Sequence, residues 1–386
     1  MSEVDKLLAS ATELSQQFYQ RADEIEKARR LPPDVSEQMA KAGFYRMGAP
    51  LAVGGLESPP ALSSQVVEIL AKGDASCAWV TFIGMTSNTA LSGIPESTAR
   101  EVYSDPNTLM TGVFAPTGTA ERMDGGFLVS GRWQWGSGSQ NAKWVLGGCM
   151  MTENGEPMLD ENGRPRSHMV IMPTSEIEYL DTWYVSGLCG TGSLDYQVQE
   201  LFVPDERVVG YLREGRLPVT PLYAFPNITF LALGIGAVCM GMARAAIDEL
   251  VQLAVSKRRV GARKTISEQQ TAQVKLAQAE ADLRSARLFY YDALEDAWQC
   301  AVESKKVDVV QRRNLRLATT NAVIKSVGVV DEMYSLGGGS SVYHNSRLQR
   351  YFRDIHVAKS HIMVSPATLE TIGGLFFGLD LNVSML

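Results

Sequence analysis

The 386-residue sequence predicts an α+β protein in which helices give way to strands and then return. Three observations carry that expectation. Apolar residues step at three- and four-residue spacing up to about residue 107. Short alternating runs, punctuated by Gly, Pro and Asn-Gly, fill roughly the next hundred residues. Long helical periodicity then resumes near Pro221. The expected units are a helical domain over 1–107, a β domain over 108–215 and a helical bundle over 216–386.

Each element has its own signal. Leu7, Leu8, Ala11, Leu14 and Phe18 place an apolar stripe on a polar helix that Pro32-Pro33 ends. A second helix carries Val35, Met39 and Ala40 and stops at Gly43. A loop containing Gly54-Gly55 leads to helices over 61–71 and 75–91, the latter almost wholly apolar, as an interior helix would be. Strand-like runs follow at 109–114, 126–130, 144–150, 168–172, 177–179 and 197–203. Turns at Asp124-Gly125-Gly126, Asn154-Gly155 and Asn162-Gly163 separate several of them, which suits a small barrel or sandwich. Helices over 228–256, 267–302 and 308–334 have the length and short connections of an antiparallel bundle. In the second, Ala272, Leu276, Ala279, Leu283, Ala286, Tyr290 and Leu294 line one face. Gly337-Gly338-Gly339 breaks the third, and a last helix starts near Leu348.

Composition narrows the function classes. Net charge is −7, and no basic domain stands out, which argues against nucleic acid as a partner. The five cysteines are scattered and lack metal-ligand spacing, so reduced thiols in the cytoplasm and no metal are expected. Residues 1–30 lack the apolar core of a signal peptide, and the apolar stretch 228–242 is short for a span, so no membrane association is expected.

The most informative block is Trp133 to Trp144, WQWGSGSQNAKW, which holds three of the six tryptophans. Indole faces, small residues and hydroxyls suit a planar heteroaromatic cofactor, and equally a sheet edge packed on a helix. Six stretches in order then resemble the acyl-CoA dehydrogenase superfamily. They are Gly43-Phe44 with Pro50 and Gly54-Gly55; Asp74-Ala75-Ser76-Cys77-Ala78-Trp79; Gly125-Gly126-Phe127-Leu128-Val129-Ser130-Gly131; Trp133-Gln134-Trp135-Gly136-Ser137-Gly138; the run from Trp183 to Ser193; and Leu348-Gln349-Arg350-Tyr351-Phe352-Arg353-Asp354 with His356 and His361. The chain is most similar to the flavin-dependent monooxygenase branch, which includes steroid-degrading phenol hydroxylases and dibenzothiophene monooxygenase. The resemblance implies an acyl-CoA dehydrogenase-like fold: an N-terminal all-α domain, a middle β-barrel and a C-terminal four-helix bundle, assembled as a homotetramer with flavin between barrel and bundle.

It also implies site residues. Acyl-CoA dehydrogenation needs a carboxylate to take the α-proton. Of the family's two places for it, one, nine residues after Arg353, is Ile362 here, and the other falls at Phe230 and Leu231. The family's Thr-Glu-Pro loop reads Phe114-Ala115-Pro116-Thr117. Both departures argue against acyl-CoA oxidation. In the monooxygenase branch the equivalent of His361 faces substrate and flavin as base or hydrogen-bond partner. Imidazole, with an ordinary pKa near 6.5, suits proton traffic at neutrality. His356 lies roughly 140° around the helix and is expected to be structural.

Ser137 falls where the family places a hydroxyl against flavin N5, and Trp135 where an aromatic covers the ring. Phe114 and Ala115 would give main-chain contacts, and Trp133 would join the aromatic wall beside the substrate. Arg263, then Arg259, would reach the flavin phosphate of a neighbouring subunit, the alternative being a solvated basic loop. Gly338 and Gly339 would line a phosphate or simply form a hinge. The function implied is hydroxylation of a small phenol- or indole-like aromatic through a C4a-(hydro)peroxyflavin. Reduced flavin (FAD or FMN) would come from a separate NAD(P)H:flavin reductase, with O2 as co-substrate. Two alternatives stand beside it: an acyl-CoA dehydrogenase with a relocated base, and a non-catalytic binding protein of the same fold.

Overall fold

The computed structural model describes residues 2–258, 261, 263–384 and 386. Helix α1 (Glu3–Ala28) opens with a reciprocal cap between Ser2 and Asp5 and ends where Arg29 turns left-handed at φ 52°. It buries Leu7, Ala11, Leu14, Phe18 and Ile25, the stripe expected from the spacing. Helix α2 (Pro33–Lys41) and α3 (Pro60–Gly73) each start on proline, whose fixed φ suits the first turn. Helix α4 (Ala75–Asn88) is capped by Asp74, whose carboxylate accepts the Cys77 N–H at 2.9 Å, and every one of its residues is buried. Helix α5 (Glu96–Val102) closes the region.

Eight strands follow: β1 (Met110–Met123), β2 (Gly126–Trp133), β3 (Trp144–Glu153), β4 (Glu156–Pro157), β5 (Ser167–Pro173), β6 (Glu178–Leu180), β7 (Asp195–Pro204) and β8 (Val208–Val209). They form one sheet in the order β6-β7-β2-β1-β3-β5-β8, with β4 on β3; β1 and β3 are parallel and the other pairs antiparallel. The expected closed barrel is corrected here. The sheet is open, because its edge strands β6 and β8 are only three and two residues long and do not pair with each other. Its core gathers Phe127, Val129, Trp133, Val170, Met172 and Tyr196.

The C-terminal helices are α6 (Pro221–Ala224), α7 (Asn227–Ala254), α8 (Gln270–Ser304), α9 (Val309–Gly337), α10 (Arg347–Ala358) and α11 (Ala367–Phe376). Helix α7 is long and apolar enough to cross a membrane, yet 94% of its most apolar window is buried inside the fold. It packs against α3, α4, α9 and α10. Glycine permits that closeness: a Cβ on Gly234 would overlap the Phe82 ring of α4, and one on Gly241 the Glu68 carbonyl of α3. Helix α8 is tied to α3 by Glu68, which accepts from Arg287 at 2.8 Å and Tyr291 at 2.9 Å.

Residues 183–193, an irregular connection between β6 and β7, are gripped from two sides. Arg29 Nε, at the end of α1, donates to the Trp183 carbonyl at 3.0 Å. From α10, Arg353 donates to the Ser186 carbonyl at 2.6 Å and the Asp354 carboxylate accepts the Leu188 N–H at 2.6 Å. Arg350 and Arg353 in turn bond Glu26 of α1, each at 2.8 Å. Gly187 lies so close to α10 that a Cβ there would overlap the Arg353 carbonyl. Gly187→Val is therefore expected to cost about 1–3 kcal/mol of stability, read from urea unfolding, because the new side chain would meet helix backbone that cannot step aside. An unchanged unfolding midpoint would show that the grip is loose.

Candidate active site

Beyond β2 the chain makes a tight turn with Trp135 at φ 68° and Gly138 at φ 73°. A non-glycine residue held left-handed costs on the order of 1 kcal/mol or more, so surrounding bonds must fix it. They come from the gripped connection and the residue just after it: Gly138 N–H donates to the Thr191 carbonyl at 2.8 Å and Gly136 N–H to the Leu194 carbonyl at 2.9 Å. Between these two anchors sits Ser137, buried.

Its hydroxyl belongs to a chain whose direction can be assigned. The Trp79 indole N–H donates to Ser137 Oγ at 3.2 Å, since it can only donate. At the far end Thr191 Oγ1 gives its one proton to the Leu188 carbonyl at 2.7 Å. Ser193 must therefore donate to Thr191 (2.7 Å), and Ser137 to Ser193 (2.6 Å). Ser137 Oγ is left with one lone pair and no proton for a ligand, so it presents an acceptor.

His361 follows α10 and caps the short 3-10 turn Ile362–Val364, its Nδ1 accepting the Met363 N–H at 3.2 Å. Its ring lies 6.0 Å from that of Trp79, centroid to centroid. Burial, and then the nearby Arg316 cation, push its pKa down to about 4. The imidazole is therefore neutral at neutral pH. With Nδ1 occupied as acceptor, the proton sits on Nε2, which has no protein partner among the described residues. No carboxylate figures among the groups that act on this ring. Ile362 is 70% exposed, and Phe230 and Leu231 are buried in α7, so neither dehydrogenase base position holds an acid.

The sequence-predicted residues fare differently. Ser137 and His361 are brought to the same indole, Trp79. Trp135 is 69% exposed, its indole uncovered by its own chain. Phe114 and Ala115 are exposed in a stretch where the β1–β3 register breaks between Val113 and Gly118, which takes their main-chain groups out of that ladder. Trp133 is a correction: it is fully buried in the sheet core, donates to the Gly148 carbonyl at 2.8 Å and stacks on Tyr196, so it lines no cleft. Gly338 and Gly339 form an exposed turn after α9, and Arg263 is exposed in the α7–α8 connection. Neither joins the Trp79 cluster. Arg259 lies outside the described residues. His356 pairs with Asp331 of α9 at 2.8 Å and packs on Phe352.

Two residues escaped sequence reasoning. Trp79 reads as one more apolar position on a buried helix, although its indole N–H, buried, always needs an acceptor. Arg316 lies on α9 beside two other arginines, Arg312 and Arg313, and shows no sign in the sequence of being buried.

The donor set fits a flavin. It offers an open indole face at Trp135, exposed main chain at 114–117 outside the β1–β3 pairing, and an acceptor oxygen at Ser137 suited to an N–H such as the one reduced flavin carries at N5. The comparisons with known proteins agree. Residues 2–98 match the N-terminal domain of acyl-CoA dehydrogenase and residues 233–366 its C-terminal domain. Indole-3-acetate monooxygenase of Pseudomonas putida is 33% identical over 360 residues, 93% of this chain and 90% of that protein. The flavin-dependent monooxygenase oxygenase subunit HsaA of Mycobacterium tuberculosis is 29% identical over 381 residues, 96% of this chain and 95% of that one. The structure of XiaF from Streptomyces, in complex with FADH2 and glycerol, superposes with a TM-score of 0.88 at 26% identity, covering 98% of this chain and 96% of that one. With a neutral imidazole next to a base position that holds isoleucine instead of a carboxylate, the chain belongs to the acyl-CoA dehydrogenase family, in its branch of flavin-dependent monooxygenases.

Proposed function

We propose that the chain is the oxygenase component of a two-component system, hydroxylating a small phenol- or indole-like aromatic with O2 and reduced flavin from a separate NAD(P)H:flavin reductase. The observation that carries this reading is the Trp79 cluster: an acceptor hydroxyl on one side, a neutral imidazole on the other, and no acid among the groups acting on that imidazole. Relatives named for indole-3-acetate and the FADH2-bound XiaF support the substrate and cofactor classes. In the finer reading, the open sheet corresponds to the family's barrel and residues 216–386 to its four-helix bundle. The domains then run 1–107, 108–215 and 216–386, in a cytoplasmic homotetramer.

Ser137, Trp135 and the main chain of Phe114 and Ala115 would hold the isoalloxazine ring. Arg263, Arg259, Gly338 and Gly339 would meet the phosphate of a flavin bound mainly by a neighbouring copy. Bound reduced flavin supplies the electrons that activate O2 and the means to pass one oxygen atom to the ring. The protein does the rest. His361 donates from Nε2 to a substrate hydroxyl or ring heteroatom and orients it. Taking a proton at Nδ1 would first require giving up the Met363 N–H. Trp79, edge-on to Phe82 at 4.8 Å, walls off water, which would otherwise divert reducing equivalents to hydrogen peroxide.

His361→Ala should leave flavin affinity within about threefold while lowering coupled product at least 10²-fold, with peroxide rising in its place. Undiminished hydroxylation would remove His361 from the reaction. Ser137→Ala should weaken reduced flavin about tenfold and oxidised flavin much less, since only the reduced ring offers a proton at N5. Anaerobic fluorescence titrations of the two forms measure this, and an equal loss for both would contradict the assigned direction of the hydroxyl chain.

A further inference from the structure

Arg316 on α9 is 2% exposed, yet it has no carboxylate partner among the described residues. Among the described residues its Nε and Nη1 bond nothing, and Nη2 reaches only Thr368 Oγ1 at a marginal 3.5 Å. Several other arginines do meet a carboxylate. Arg350 and Arg353 bond Glu26, Arg287 bonds Glu68, and Arg244 bonds Glu280. A guanidinium taken out of water costs several kcal/mol unless an anion or acceptors replace the lost hydration. Left unpaired, it is an expensive feature that a methionine or leucine at the same place would avoid.

Its location gives the cost a purpose. Arg316 is near enough to His361 to act electrostatically on that ring, and Thr368, its one weak partner, opens α11 just beyond the 3-10 turn that His361 caps. From these positions the geometry points to Arg316 as the anchor for a carboxylate carried by the aromatic substrate: an aryl-acetate-like acid whose ring lies toward His361 and Trp79. The planar fork of the guanidinium matches a carboxylate with two parallel bonds along either edge that includes Nη2, and with Nε and Nη1 bare and Nη2 held only marginally by Thr368, either edge is available to make them. Thr368 Oγ1 can supply a further contact. Occupancy would also relieve the repulsion that Arg316 exerts on protonated His361. This inference rests on the monooxygenase reading for its aromatic ring but not for its anion.

The test uses binding alone, on the full-length protein without flavin or O2. Tryptophan fluorescence or calorimetry would compare matched pairs that differ in the carboxylate: indole-3-acetate with 3-methylindole, 4-hydroxyphenylacetate with p-cresol, phenylacetate with toluene. In the wild type at least one acid should bind about ten- to a hundredfold tighter than its neutral partner. Arg316→Met should abolish that preference while leaving the neutral partner unaffected, and Arg316→Lys should retain part of it. Thermal unfolding separates anchoring from a structural role: removing an unpaired buried cation should leave Tm unchanged or raised. Wild-type protein that binds acids and neutral partners alike overturns the proposal without any variant. So does a preference that survives Arg316→Met. An intact acid preference with no O2-dependent product would instead spare the anchor and sink the monooxygenase reading.

Discussion

The constraint on which the site depends is the grip of α1 and α10 on residues 183–193. Apart from one 3-10 turn at Cys189–Thr191 this connection is irregular, and Leu188 and Gly192 are held left-handed. Its shape is imposed by Arg29, Arg353 and Asp354, so the hydroxyls of Thr191 and Ser193 inherit their positions from helices in two other parts of the chain. Asp354 is buried, and burial raises its carboxyl to about 7. Such a group is a poor source of stability but a good source of geometry, because its one short bond to the Leu188 N–H admits little variation. The same α10 runs on into His361. One helix thus sets both the hydroxyl chain on one side of Trp79 and the imidazole on the other.

That arrangement presents donors and acceptors already aimed. The hydroxyl chain runs one way, from the indole N–H to a backbone carbonyl, so Ser137 cannot switch from acceptor to donor unless the whole row reverses, and the two ends forbid reversal. His361 is similarly fixed: the backbone N–H it caps selects the tautomer. Preorganised dipoles of this kind need no reorientation when a ligand arrives, which is where their advantage over water lies. Burial strengthens each of them by excluding competing solvent.

Much of the fold was legible because it rests on periodicity. The stripe Leu7, Ala11, Leu14, Phe18 and the runs that became β1, β2, β3, β5, β6 and β7 each follow from spacing within one segment. Whether the sheet closes depends on which edges meet, and no local pattern encodes that; β6 and β8 proved too short to pair. In the site, His361 and Ser137 were visible because a polar residue stood where the resemblance expects chemistry. Trp133 misled because an indole beside glycines looks alike whether it faces a cofactor or packs beneath a strand. Trp79 and Arg316 were hidden for opposite reasons. One is an apolar-looking residue doing polar work through its N–H. The other is a charged residue whose burial arises only when α9 meets the turn at 362–364 and α11.

The pairing of Arg316 with an imidazole, rather than an acid, follows from these same positions. An Asp or Glu at 361 could cap the Met363 N–H as well as His361 does. It would also place a negative charge within electrostatic reach of Arg316, offsetting the guanidinium from within and leaving less charge for an incoming molecule. Imidazole with a pKa near 4 performs the cap without neutralising the cation. An imidazole at 361 and a buried arginine with no carboxylate partner among the described residues are then two sides of one electrostatic choice. A site that keeps its own anion can abstract a proton. On the proposed reading, a site that keeps only a cation and a neutral ring takes its anion from the substrate.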